Sequence, residues 1–267
     1  NSLKELIQPA IEYCRNGVLI RPHMSSYWNM PATAGRDPNI SMVNKFKETQ
    51  KIYCDESGLV KKVGDLLLNP DMGQLYQDIG NYGVNHFYSG EISQRIILDM
   101  QENGGLLAIE DLQECTPEER PPLWGTFFDY KIATNNPPGG GVMLVEMLNI
   151  LEEFDLKGMG HNSVEYIKVV SEVMKIATID KDTKVGDPKF TVVPTDQLTS
   201  KSYAKAHAEK IKRGDRAVVN RVNKGNPESK CTTQLVLADV SGNCVTMTHT
   251  LGQPSGVVTE GLGFMYN

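Results

Sequence analysis

The sequence predicts an α+β protein in which helices pack on a sheet. Three observations carry that reading. Capped, helix-periodic segments fill most of the chain up to Arg213. The period changes at Trp124–Thr134. A polar linker is then followed by an alternating hairpin pattern between Cys231 and Leu251.

In chain order, Ser2-Leu3-Lys4-Glu5 forms a capping box, and Leu3, Ile7, Ala10 and Cys14 follow at helical spacing up to Gly17. Arg21 to Asp37 is rich in Pro, Asn and Ser and reads as a loop, with Tyr27 and Trp28 as anchors on a core. A helix is expected over Ile40–Tyr53. Asn69-Pro70-Asp71 sets a cap with proline at the first helical position of another, running to about Tyr82. Glu91–Glu102 places Ile92, Ile96, Ile97 and Met100 on one face, with Gly104-Gly105 beyond its end, and Ala108–Gln113 is a short helix. Phe127, Phe128, Tyr130 and Ile132 mark Trp124–Thr134 as a strand. Pro137-Pro138-Gly139-Gly140-Gly141 then turns the chain into helices over Val142–Phe154, Ser163–Lys181 and, after Gly186-Asp187-Pro188, Thr195–Arg213. The polar stretch 214–231 reads as an exposed linker. A hairpin and a short tail leave sheet edges unpaired, so further strands are expected from chain outside this sequence.

Composition narrows the function classes. The 267 residues are 40% hydrophobic and 22% charged, and the net charge of −6 offers no basic field for nucleic acid. No apolar run approaches the ~20 residues that cross a bilayer. No secretory signal pattern opens the chain, which is expected to begin inside a fold because Asn1-Ser2 already caps a helix. Cys14, Cys54, Cys115, Cys231 and Cys244 lack zinc-ligand spacing and read as buried free thiols. The five histidines show no metal spacing.

The chemistry concentrates in the hairpin. Asp239-Val240-Ser241-Gly242-Asn243 is a turn in which Gly242 can take a positive φ. Pairing Asp239 with Asn243 sets Thr232 opposite Thr250, on one face, with Cβ atoms about 5 Å apart. Leu235, Leu237, Val245, Met247 and Leu251 share the other face. Taken alone, Thr232 is an ordinary strand threonine. The linker before it and the hydroxyl opposite it add a second reading, a nucleophile held by Thr250. If the Cys231–Thr232 bond were cut, the Thr232 amine could serve as base for its own hydroxyl. Cys231 has the wrong parity to face Thr250. His249, on the apolar face, reads as a satisfied core histidine. Gly139-Gly140-Gly141 could cradle an anion but lacks P-loop spacing, and a tight strand-to-helix turn is the ordinary explanation.

Several stretches, in order, resemble the γ-glutamyltranspeptidase family. They are Phe87-Tyr88-Ser89-Gly90-Glu91-Ile92, Gln101-Glu102-Asn103-Gly104-Gly105-Leu106, Glu110-Asp111-Leu112, Pro137–Gly141 with Met147–Glu152, Gly186-Asp187-Pro188-Lys189-Phe190, Thr232-Thr233, Gly242-Asn243 and Thr250-Leu251. The resemblance implies an N-terminal-nucleophile hydrolase, an αββα sandwich, incomplete in this chain and mostly helical before residue 232. It divides the chain into a large-subunit-like region, 1–231, and the start of a small-subunit-like region, 232–267, intertwined as one domain in the full protein.

It also implies a self-cleaving proenzyme that needs neither metal nor organic cofactor. Thr232 attacks the Cys231 carbonyl, and the freed Thr232 then attacks γ-glutamyl amides such as glutathione, with Thr250 orienting it. Its partners are the small-molecule amide and the remaining segments of the same precursor, and its relatives work in the periplasm, in secretions or at cell surfaces. The family's Thr-Leu-Asn is Thr250-Leu251-Gly252 here. That asparagine helps hold the donor's α-amino and α-carboxylate groups, so an acylase with another acyl donor is the alternative, and a non-catalytic binding subunit a third. The family's carboxylate-binding arginine would precede Asn1, and its acidic amine-binding residue, paired serines and oxyanion glycines would follow Asn267.

Overall fold

Ser2 opens the first helix as the sequence predicts. Its hydroxyl accepts from Glu5 N at 3.3 Å and Glu5 Oε2 accepts from Ser2 N at 2.7 Å, closing the capping box of α1 (Leu3–Asn16). The computed structural model describes residues 1–31, 37–220, 233–251 and 254–266. After β1 (Val18–Leu19) comes α2 (Pro22–Trp28), where a loop is expected from composition. Pro22 stands at the first helical position with its φ already set, and Met24, Tyr27 and Trp28 follow at helical spacing, with Trp28 buried. The single helix expected over Ile40–Tyr53 is two, α3 (Asn39–Lys45) and α4 (Lys47–Tyr53), broken at an extended Phe46. Val43 and Ile52 are nine residues apart, about half a turn out of phase on a straight helix. The break lets both be buried. β2 (Leu66–Leu67) pairs antiparallel with β1. Asn69 caps α5 (Pro70–Tyr82), and α6 (Asn85–Tyr88), α7 (Glu91–Asn103) and α8 (Ile109–Gln113) follow.

The strand expected over Trp124–Thr134 is a hairpin, β3 (Leu123–Phe127) with β4 (Tyr130–Thr134). It turns at Phe128, whose φ of 48° is unusual for a bulky residue. A long-range bond holds it there: Phe128 N donates to Glu152 Oε1 at 2.9 Å. The glycine run packs as a tight turn into α9 (Gly141–Leu151), since a Cβ on Gly141 would lie 2.0 Å from Asn135 O. α10 (Leu156–Met159) and α11 (Val164–Lys184) come next. The helix expected over Thr195–Arg213 is interrupted. α12 (Thr195–Leu198) ends and Ser200, accepting from Tyr203 N at 3.2 Å, caps a new start for α13 (Lys201–Lys212). β5 (Thr233–Ala238) and β6 (Cys244–His249) form the hairpin. Each sheet among the described residues is two-stranded.

The contacts divide the chain into two units, Asn1–Pro117 with Asn226–Asn267, and Glu118–Gly225. In the first, Ile20, Trp28, Val43, Cys54 and Val60 form one core cluster and Leu75, Ile92, Ile96, Leu112 and Leu262 another. Leu262 comes from the far end of the sequence. The segment around it is held by side chains of the N-terminal helical region. Asn69 Nδ2 donates to Gly263 O at 2.7 Å and Arg95 Nη2 to Glu260 O at 2.6 Å. Thr259 Oγ1 bonds Asp99 Oδ2 and the Tyr266 hydroxyl, and Phe264 packs on Phe87.

In the second unit Ile150, Val169, Val173, Ile176, Ala204 and Ala208 form the core where α9, α11 and α13 meet. Beside it lies a buried polar group. Asp180 accepts from the Tyr203 hydroxyl at 2.6 Å and pairs with Lys184 Nζ at 2.8 Å. Glu146 is pushed up to about 8, first by burial and then by its hydrogen bond to the Asp180 carboxylate and that group's charge. Asp180 is held below its ordinary value. Burial alone would raise it, but the bonds from Lys184, Tyr203 and Glu146 outweigh that. Glu146 therefore carries the proton and Asp180 the charge.

Two outcomes are expected. Leu262→Ala should lower unfolding free energy by about 2–5 kcal/mol, measured as a reduced denaturant midpoint. Glu146 stays protonated in the folded protein to about pH 8 but ionises from its ordinary 4.5 when unfolded. Its contribution is complete below that ordinary value and is lost as pH rises through the folded value. Glu146→Gln should therefore lose less stability than wild type across that window, by at most about 1.4 kcal/mol per pH unit, in denaturant melts at successive pH values.

Candidate active site

The hairpin turn is built by one aspartate. Asp239 Oδ1 accepts from Ser241 N and Asn243 N, each at 2.9 Å, and Oδ2 from Asn243 Nδ2 at 2.8 Å. These bonds, the Asn243 side chain's first, hold the Asp239 carboxyl below its usual value. Gly242 takes φ 83°, and Asp239 N donates to Asn243 O at 3.0 Å. The register is the one counted from the turn, and it runs from Ala238↔Cys244 to Thr233↔His249. On the polar face, Gln234 bonds both Thr246 at 3.0 Å and Thr248 at 2.6 Å. Leu235 and Leu237 stand opposite Met247 and Val245 on the other face. That face is exposed in the described residues, and so is His249, which is therefore not the core histidine expected from its parity.

Thr250 follows the last pair. Thr232, Cys231 and Gly252, the other residues singled out by the sequence, lie outside the described residues. Thr233, His249, Thr250 and Leu251 form one wall of a cavity of about 460 Å³. The facing wall comes from the N-terminal region: His23, Met24, Tyr27 and Trp28 on α2, Asn39, Met42 and Val43 on α3, and Tyr53 on α4. Pro254 and Met265 complete it. Sequence reading missed this wall, because α2 is hidden in a stretch whose composition looks like loop. The available signal was Pro22 followed by Met24, Tyr27 and Trp28 at i, i+3, i+4 spacing.

The segment after Thr250 is fixed at Gly256. Buried Thr49 donates to Gly256 O at 2.5 Å. Gly256 has φ 81°, and a Cβ there would come within 2.5 Å of Met42 O. A glycine is therefore required where this segment crosses α3.

Of the cysteines, Cys54 is buried and Cys14 half-buried, whereas Cys115 and Cys244 are exposed free thiols, not buried as composition suggests. Among the described residues, no group of three or more His, Cys, Asp and Glu could hold a metal. Among the described residues, too, no helix is long and apolar enough to cross a membrane.

The family model for gamma-glutamyltranspeptidase matches residues 1–267. The chain belongs to that family. It is 31% identical to the glutathione hydrolase proenzyme of Escherichia coli (strain K12), over 99% of this chain and 45% of that protein. It is 30% identical to the acylase ACY 1 proenzyme of Pseudomonas sp. (strain V22), over 99% of this chain and 46% of that one. The solved Helicobacter pylori gamma-glutamyltranspeptidase superposes with a TM-score of 0.72 at 28% identity, covering 85% of this chain and 62% of that chain. The fold is thus the N-terminal-nucleophile hydrolase fold of the gamma-glutamyltranspeptidases. The chain spans about half the length of the curated relatives it matches.

Replacing Thr49 by Val leaves the Gly256 carbonyl without its donor. It should cost about 1–3 kcal/mol in chemical denaturation, with Thr49→Ser close to wild type.

Proposed function

We propose that the full-length protein is a self-processing hydrolase and acyltransferase of the gamma-glutamyltranspeptidase kind, with Thr232 as nucleophile. The observation that carries this is the hairpin register. Pairing that runs to Thr233↔His249 supports a next pair of Thr232 with Thr250, two hydroxyls on one face. Family membership supports the same two residues.

In processing, Thr232 Oγ attacks the Cys231 carbonyl carbon. The Cys231–Thr232 C–N bond breaks, the nitrogen becomes the Thr232 α-amine, and an ester joins Cys231 to Thr232 Oγ. Water hydrolyses the ester, leaving a Cys231 carboxylate and a free hydroxyl. In turnover that amine accepts the hydroxyl proton as Oγ attacks the substrate amide, and the departing amine takes the proton. The acyl ester then passes to water or to an acceptor amine. Thr250 hydrogen-bonds and orients the nucleophile. The rest of the precursor supplies the remaining walls of the site.

A glutathione-like γ-glutamyl amide is the donor the family suggests. A second reading, an acylase with a different acyl group, is favoured by Gly252 in place of the family's asparagine.

Denaturing mass analysis tests the catalytic reading. Wild type should give two pieces meeting at Cys231–Thr232, and Thr232→Ala a single chain. Thr250→Val should process but turn over on the order of 10²-fold more slowly, through a misplaced nucleophile. Wild type that stays whole under all conditions would leave the non-catalytic binding subunit as the reading.

A further inference from the structure

One side chain on the polar face of the hairpin binds two hydroxyls of the opposite strand at once. Gln234 Nε2 donates to Thr246 Oγ1 at 3.0 Å, and Gln234 Oε1 accepts from Thr248 Oγ1 at 2.6 Å. Thr248 is its direct cross-strand partner, and Thr246 lies two residues nearer the turn on the same face. A single amide thus ties the start of β5 to a length of β6.

The backbone ladder leaves a gap at this end that the amide spans. Antiparallel pairs alternate between hydrogen-bonded and non-bonded. Counted from Asp239, whose N donates to Asn243 O, Thr233↔His249 is a bonded pair and Gln234↔Thr248 is not. The next pair, the proposed Thr232 with Thr250, is also of the non-bonded kind. Side chains stand closest at such pairs, which suits two hydroxyls, but no ladder bond would cross between them. Within the hairpin, the register of Thr232 is then held by the residues after it. Those are the Thr233↔His249 pair and Gln234, the next residue on the same face.

Cleavage raises the demand on them. In the precursor, peptide bonds on both sides restrain Thr232. Once the Cys231–Thr232 bond is cut, Thr232 is a chain end attached through Thr233 alone, and chain ends are poorly ordered unless tied down. A displacement of about 1 Å at a reacting group can cost on the order of 10²-fold in rate.

We infer that Gln234 is a positioning residue for the Thr232 nucleophile, clamping the freed end of β5 to β6 through Thr246 and Thr248. It acts through the strand and not on the substrate. The inference rests on the assignment of Thr232 as nucleophile and adds an asymmetry to it: turnover depends on the clamp more than self-cleavage does. A side chain that merely stapled the hairpin would affect both steps alike.

The test uses the full-length protein. Gln234→Met keeps the length of the side chain and removes both bonds, whereas Gln234→Glu keeps an acceptor for each threonine hydroxyl. Denaturing mass analysis times self-cleavage. Hydrolysis by the cleaved protein of γ-glutamyl- or phenylacetyl-p-nitroanilide, whichever wild type cleaves faster, gives kcat and KM. Gln234→Met should cut itself within about threefold of the wild-type rate but lose about tenfold or more in kcat, with KM little changed. Cutting at that rate also shows that the variant folds. Gln234→Glu should recover most of kcat. Thr248→Val should lose kcat as Gln234→Met does, and the double variant no more than the worse single one, because both remove the same clamp. If kcat in Gln234→Met falls only in step with self-cleavage, or does not fall, the inference is overturned, while wild-type cleavage at Cys231–Thr232 keeps the nucleophile. A wild type that is never cut removes the nucleophile and the clamp's role with it.

Discussion

The first unit depends on one long-range packing event, the insertion of Leu262 among Leu75, Ile92, Ile96 and Leu112. The contact joins residues that are far apart in sequence, so ordering the chain between them opposes it. Hydrophobic burial and the bonds from Asn69, Arg95 and Thr49 offset that entropy. Everything proposed for catalysis lies just upstream of this anchor. The hairpin ends at His249, and Thr250 and Leu251 lead into the anchored segment within a few residues. The position of one cavity wall is thus set by a core that takes no part in the chemistry.

Much of the helical frame is legible locally. Ser2, Asn69 and Ser163 cap their helices as their residue types dictate, since each carries an oxygen at the right place for a free backbone N–H. The hairpin register follows from the turn chemistry of Asp239 and Gly242 alone. What local reading misses is decided by distant partners. The break at Phe46 buries residues on two sides of one segment, and the turn at Phe128 is held by Glu152 from another helix. The start of α2 is hidden because Pro and Ser suit both loops and first turns. Of the candidate site, sequence legibly singles out Thr250 and its neighbours on the hairpin. The opposing wall on α2 and α3 comes from tertiary packing and has no motif.

The second unit shows a different balance. Its core is apolar, yet Glu146 and Asp180 sit at the edge of it. Two carboxyls at such close range cannot both ionise without strong repulsion, so one keeps its proton. Lys184 and Tyr203 settle which: both reach Asp180, and Glu146 is left neutral. The arrangement fixes the relative rotation of α9, α11 and α13 by directional bonds where apolar contact alone would tolerate sliding.

One property of the anchored segment reaches beyond this molecule. Thr49, Asn69 and Arg95 all grip main-chain carbonyl oxygens, those of Gly256, Gly263 and Glu260. A carbonyl is common to every residue, so the grip recognises the path of the segment and not its side chains. Apart from Leu262, the side chains of Thr259, Phe264 and Tyr266 that bond or pack within this core, and glycine where the backbone runs close to α3 and α5, that stretch of the chain can drift in sequence while its course over the helices stays the same. Substitutions at the remaining positions can therefore change what this segment presents without rebuilding the scaffold that holds it.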